Sequence, residues 1–117
     1  MKFGHIGLKV LNMDKSIEFY ENVLSAIVIK DYVYPDMRLV FLEVGGTIIE
    51  LVGEAGNEER NVGPIDHIAF KVDSLEDKMN LLDKFNIKYS EPRTVGTAMV
   101  IFFDGPNNES YEFVSRV

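Results

Sequence analysis

Apolar residues near the start of the chain alternate, then switch to a helical stripe. In FGHIGLKV, residues 3 to 10, Ile6, Leu8 and Val10 alternate with Gly7 and Lys9, the period of a strand with one buried face. Asn12 follows as a capping residue, and Ile17, Tyr20, Val23 and Leu24 recur at the spacing of a helix running through Leu24. Extended segments come next at about 27 to 33, 37 to 44 (MRLVFLEV) and 47 to 52 (TIIELV), the last two divided by Gly45-Gly46, a two-residue hairpin signal. The first half therefore reads βαβββ. Between Gly53 and Gly63 large apolar residues give way to Gly, Glu and Asn, which predicts a solvated linker ending at Pro64.

The second half repeats this order. IDHIAFKV, residues 65 to 72, reads as a strand. Ser74 with Asp77 makes a capping-box-like start for a helix whose stripe is Leu75, Met79, Leu82 and Phe85. Strands are expected near 88 to 95, 98 to 104 and 110 to 116, with Gly105-Pro106-Asn107-Asn108 turning the final hairpin. Sliding the chain against itself by 62 positions aligns HIGLKV with HIAFKV and TIIELV with ESYEFV without a gap, and internal duplication is the simplest explanation. The expected fold is α+β, with two tandem βαβββ modules, 1–53 and 64–117, joined by a linker at 54–63. A chain of 117 residues is large enough for one core and too short for two independently stable ones, so a single domain over 1–117 is expected.

Composition narrows the chemistry. A net charge of −7 leaves no basic stripe to displace counterions, so nucleic acid is not an expected partner. The chain has no cysteine, which excludes disulfides, thiol nucleophiles and thiolate metal sites. No long apolar run of the kind a signal peptide or membrane span requires is present, so no membrane association and a cytoplasmic location are expected.

The 62-residue shift also carries the candidate chemistry. It places His5 on His67, the only two histidines, and Glu50 on Glu112. Strand alternation puts Ile6, Leu8 and Val10 against the helix and His5 on the opposite face. The same parity turns His67 away from Ile68, Phe70 and Val72, and sets Glu50 and Glu112 between inward-facing neighbours. A single such His or Glu is more simply a surface residue, but four residues in two repeat-equivalent pairs with matching parity point to a shared site. Two imidazoles and two carboxylates suit zinc, nickel, cobalt, iron or manganese, and each half alone supplies too few ligands to hold an ion firmly.

HIGLKV followed by DKSIEFYENVL, FLEVGGTIIELV, DHIAFKVDSLED and FFDGPNNESYEF together resemble the vicinal oxygen chelate superfamily, and within it the glyoxalase I (lactoylglutathione lyase) family, over essentially the whole chain. The resemblance implies a cupped mixed sheet of the glyoxalase/bleomycin resistance/dihydroxybiphenyl dioxygenase type. It implies one divalent ion, nickel or zinc foremost with cobalt, manganese or iron as alternatives, held by His5, Glu50, His67 and Glu112. It further implies a homodimer acting on a small-molecule substrate. Epimerase relatives resemble this pattern but carry Gln where this chain has Glu50, so Glu50 favours the glyoxalase reaction: conversion of a 2-oxoaldehyde–thiol hemithioacetal to a 2-hydroxyacyl thioester, as in methylglyoxal detoxification. Glu112 is then the expected base and Glu50 a ligand or second proton carrier. The alternatives are a methylmalonyl-CoA epimerase-like proton transfer and a non-catalytic binding module of the antibiotic-resistance type. The resemblance implies glutathione or another thiol as cosubstrate, but Lys9 stands where the bacterial relatives resemble an Arg that binds a glutathione carboxylate, and Glu54 stands where they have Asn and would repel such a carboxylate, so a different thiol or a small carbonyl substrate is an alternative. Lys71, Arg38 and Arg93 are further candidate anion anchors, although ordinary surface charge explains each more simply.

Overall fold

A computed structural model describes residues 1–58 and 63–116. The chain divides into two compact units, Met1–Arg60 and Asn61–Val117. The first holds β1 (Ile6–Lys9), α1 (Met13–Leu24), β2 (Ile27–Val33), β3 (Met37–Val44) and β4 (Thr47–Glu54). The second holds β5 (Ile68–Lys71), α2 (Leu75–Lys84), β6 (Arg93–Val95), β7 (Ala98–Asp104) and β8 (Ser110–Arg116). Their sheets have matching orders, β1-β4-β3-β2 and β5-β8-β7-β6, so each is the βαβββ arrangement expected. Among the described residues, no helix is long and apolar enough to cross a membrane.

Local chemistry sets the helix ends. The Asn12 side chain accepts from the Lys15 amide at 3.0 Å, and Ser74 Oγ accepts from the Asp77 amide at 3.1 Å, satisfying amides that the helices cannot pair themselves. α1 ends at Ser25, which adopts a left-handed φ of 54° and lets the Ala26 amide reach the Tyr20 carbonyl. Tyr20, Val23 and Leu24 are buried as the stripe requires, but Ser16 takes the deep position and Ile17 is only half-buried. In α2, Leu75 and Leu82 are buried, whereas Phe85 is the exposed C-cap.

Parallel pairing of β1 with β4 and of β5 with β8 fixes the two registers: Gly7 beside Glu50, and Ala69 beside Glu112. One face of each sheet packs against its helix. In the first unit that face is Val40, Leu42, Val44, Ile49 and Leu51, and in the second Ile101, Phe103, Tyr111 and Phe113, all buried. Gly45 and Gly46, at φ 56° and 84°, turn the β3–β4 hairpin with Val44 paired to Thr47, as the sequence signal required.

Three expectations need correction. The first strands are shorter than expected: β1 and β5 begin one residue after His5 and His67, because ladder pairing starts at Ile6 and Ile68. The segment from 88 to 95 is not one strand. Tyr89 bridges Phe103 and Arg93 pairs with Val100, so four residues on one side span three on the other. Pro92 lies within that bulge and has no amide to donate to a ladder. The linker also starts later than expected. Gly53 and Glu54 pair with Arg38 and Met37 inside β4, and the Asn57 amide group donates to the carbonyls of Val10 and Val52. Residues 59–62 of the expected linker lie outside the described residues.

β2 is the outer strand of the first sheet and is exposed along its whole length. Arg38 ties it down, donating to both Asp31 oxygens at 3.0 and 2.8 Å and to Asp14 at the start of α1 at 3.2 Å. Those bonds hold the Asp31 carboxyl below its ordinary pKa and raise that of the guanidinium. Arg38 shares strand parity with Val40 and Leu42, so it serves the helix side of the sheet and is not an anchor for an anion on the opposite face.

Candidate metal centre

The side chains on the sheet face opposite each helix assemble into two like groups. In the first unit His5 Nε2 stands 3.4 Å from Glu50 Oε1, and in the second His67 Nε2 stands 3.5 Å from Glu112 Oε1. Both separations exceed an ordinary N–H···O hydrogen bond of about 2.9 Å. They suit something else: two ligands each about 2.1 Å from a tetrahedral ion stand about 3.4 Å apart. The residues therefore fit a divalent ion taken between imidazole and carboxylate. The glutamates are the more enclosed partners, with 18% and 16% of their side chains exposed against 47% and 32% for the histidines. Among the described residues, no group of three or more His, Asp or Glu stands close enough to hold an ion. What the structure brings together is two pairs, one per unit.

A phenylalanine completes each group. Phe41 lies opposite Glu50 across the β3–β4 pairing and Phe102 lies opposite Glu112 across β7–β8. Each presents its ring edge-on to the histidine, at 5.5 Å and 82° for His5–Phe41 and 5.3 Å and 89° for His67–Phe102. Such rings limit imidazole rotation and keep water from one side of the pair. The 62-residue shift conceals this equivalence, because Phe41 and Phe102 are 61 positions apart. The β7–β8 turn is longer than Gly45-Gly46 and its register is displaced by one. Parity with Glu50 and Glu112 was the available signal.

The two histidines differ in their second nitrogen. Asp66 Oδ2 lies 2.7 Å from His67 Nδ1. A carboxylate there takes the Nδ1 proton as a hydrogen bond and leaves the lone pair on Nε2, the atom that faces Glu112. The residue 62 positions earlier is Gly4, so His5 has no counterpart to this carboxylate. The dipeptide Asp66-His67 was the signal in the sequence. The strand neighbours of Glu50 and Glu112 are the small residues Gly7 and Ala69, and a Cβ at Gly7 would meet Glu50 Oε1 at 3.4 Å, ordinary contact.

Of the cation candidates, Lys9 lies on the same face as Glu50, beside Val52, and is exposed. Lys71 has the corresponding place beside Val114. The Arg93 guanidinium lies 5.6 Å from the centre of the Phe102 ring, stacked on the wall of the second pair.

A family model described as the Glyoxalase/Bleomycin resistance protein/Dioxygenase superfamily matches residues 2–113. The chain is 27% identical to a lactoylglutathione lyase of Neisseria meningitidis, covering 99% of this chain and 91% of that protein. Over 66% of its length it is 36% identical to a trivalent organoarsenical cleaving enzyme of a Bacillus species, of which the match covers 45%. Among solved structures, a fosfomycin resistance protein of Listeria monocytogenes complexed with Mn(II) superposes with a TM-score of 0.82 at 20% identity, over 96% of this chain and 90% of that one.

Proposed function

The chain belongs to the Glyoxalase/Bleomycin resistance protein/Dioxygenase superfamily, and from that premise we propose that it is a metal-dependent, glyoxalase I-like lyase. Its reaction is the conversion of a 2-oxoaldehyde–thiol hemithioacetal to a 2-hydroxyacyl thioester by enediolate proton transfer. The observation that carries this reading is the pair of repeat-equivalent His–Glu contacts at 3.4 and 3.5 Å, spaced as ligands rather than as hydrogen-bond partners. Similarity to the Neisseria lactoylglutathione lyase over 99% of the chain supports the choice of reaction.

His5, Glu50, His67 and Glu112 would hold one divalent ion, nickel or zinc foremost and cobalt, manganese or iron otherwise. A bound ion supplies stabilisation of the negative charge that develops on substrate oxygen. Glu112 removes the proton from the first carbon and returns it to the second, while Glu50 remains a ligand or acts as second proton carrier. The hydrogen bond from His67 to Asp66 favours this division, because it fixes the imidazole beside Glu112 in one tautomer. Phe41 and Phe102 exclude water that would quench the intermediate. Lys9 offers a cation on the same face for the carboxylate of glutathione or another thiol.

The active form is proposed to be a cytoplasmic homodimer, consistent with an outer strand that leaves Ile27 and Val33 exposed at 62% and 75%. Protein reconstituted with nickel or zinc should isomerise the methylglyoxal–glutathione hemithioacetal, with Glu112→Gln lowering kcat by at least about 100-fold when assayed at saturating metal. Inactivity toward hemithioacetals of every common thiol would remove this reading.

A further inference from the structure

The β7–β8 turn closes over a buried carboxylate that the proposed reaction does not use. Asp104 pairs with Ser110, so Gly105, Pro106, Asn107, Asn108 and Glu109 form the turn. The Gly105 amide donates to the Glu109 carbonyl at 2.8 Å, and the Asn108 amide donates to the Gly105 carbonyl at 3.3 Å. Glu109 itself is only 4% exposed. Its Oε1 accepts from the Asn107 backbone amide at 2.6 Å and its Oε2 from the Asn107 side-chain amide at 3.3 Å, the donors that a buried carboxylate requires. A Cβ at Gly105 would fall on the Glu109 carboxyl group. The φ of Gly105 is not positive, so glycine is needed there for this close approach and not for the backbone conformation.

The turn sets what stands beside Glu112. Side chains alternate along a strand, so Glu109, buried in line with Tyr111 and Phe113, leaves Ser110 and Glu112 to the other face. Five turn residues also put Phe102, rather than Phe103, opposite Glu112, and a slip of one residue would exchange the faces of the strand. The first unit reaches its register by another route. Sixty-two positions earlier, Gly105 and Glu109 correspond to Glu43 and Thr47. There the Gly45-Gly46 turn is held from the incoming strand, where Glu43 Oε1 accepts from the Gly46 amide at 2.9 Å. In the second unit the carboxylate comes from the outgoing side, and the residue it lies against is glycine. Each hairpin thus has a carboxylate on a turn amide, supplied from opposite ends.

We propose that Glu109 is a positioning residue for the second His–Glu pair: by holding the β7–β8 turn it fixes the register that places Phe102 and Glu112 beside His67. Its bearing on metal rests on the reading of Glu112 as a ligand, and a measurement without metal separates the two. In metal-free full-length protein, nuclear Overhauser contacts between the His67 and Phe102 rings report the second group, and those between the His5 and Phe41 rings serve as internal control. Glu109→Ala should abolish the His67–Phe102 contacts and keep the His5–Phe41 contacts. Glu109→Gln, whose side-chain oxygen still accepts from the Asn107 amide, should restore them. Gly105→Ala displaces the carboxyl without removing it; it should weaken the same contacts, and it decides the matter if Glu109→Ala does not fold. The Gly105→Ala, Glu109→Ala double variant should be no worse than Glu109→Ala alone, because the added Cβ then has room. Zinc affinity, measured by competition with a chelator, should fall about tenfold in Glu109→Ala. That fall should vanish in a Glu112→Gln background. The proposal is overturned if Glu109→Ala keeps the His67–Phe102 contacts, if both histidine contacts are lost together, or if Gly105→Ala leaves both unchanged. Loss of the His67–Phe102 contacts alone, with zinc affinity unaltered, would uphold the positioning role and remove Glu112 as a ligand.

Discussion

At the scale of single residues, the difference between His5 and His67 matters more than their equivalence. Both face a glutamate at nearly the same distance, but among the described residues only His67 has a carboxylate on its other nitrogen. Removing that carboxylate should leave the fold intact, since Asp66 is an exposed residue ahead of β5, and should release the ring. Asp66→Asn is therefore expected to weaken metal affinity about 10-fold with a melting temperature unchanged within about 1 °C, measured by competition with a chelator and by calorimetry. Arg38 offers a separate test. Asp31 is held below its ordinary pKa by Arg38, so the pair contributes stability when pH is above the unfolded carboxyl value and loses it as pH falls through the folded one. Asp31→Asn should lower stability by about 0.5 to 1 kcal/mol at pH 7, a figure already reduced for its partial exposure. The gap to the unaltered protein should close as pH falls below about 4 in urea melts. A gap that stays constant across that range would show that the ion pair does not carry the effect. Strand parity revealed the four His and Glu residues because a period of two leaves only two faces to choose from. Asp66 escaped because its repeat position is Gly4, so comparison of the halves gave it no partner.

At the scale of elements, capping and periodicity explain what could be read and bulges explain what could not. Asn12, Ser74 and Gly45-Gly46 set boundaries by chemistry confined to a few residues, and the structure keeps all three. Strand β6 depends on a register between distant segments, and the bulge around Pro92 alters it by one residue. The same one-residue displacement hid the equivalence of Phe41 and Phe102. Helix α1 closes with less favourable chemistry than it opens, since Ser25 occupies a left-handed conformation in which its Cβ is crowded. Ser25→Gly should stabilise the protein by about 0.5 to 1 kcal/mol, the relief of that crowding exceeding the added freedom of the unfolded chain. Thermal denaturation would decide it; a lower melting temperature would mean that the Ser25 side chain makes a compensating bond.

At the scale of the whole molecule, the question is whether the two His–Glu pairs share one ion. Each unit supplies one imidazole and one carboxylate at ligand spacing, and among the described residues neither pair recruits a third His, Asp or Glu. Two ligands alone bind a divalent ion weakly, because the chelate loses few waters and gains only two bonds, whereas four ligands match a closed or nearly closed tetrahedral set. If both pairs share an ion, titration should give one metal per chain. Removing either histidine should then weaken that single event by at least about 100-fold, and the double variant His5→Ala, His67→Ala should be little worse than either alone, since the shared ion is lost at the first step. If the pairs act separately, two weak events per chain would appear, and each substitution would abolish one and spare the other. Isothermal titration with zinc or nickel distinguishes these outcomes without any assay of catalysis. One shared ion would also account for the presence of the His–Glu pair in both copies, because the metal would need both halves alike.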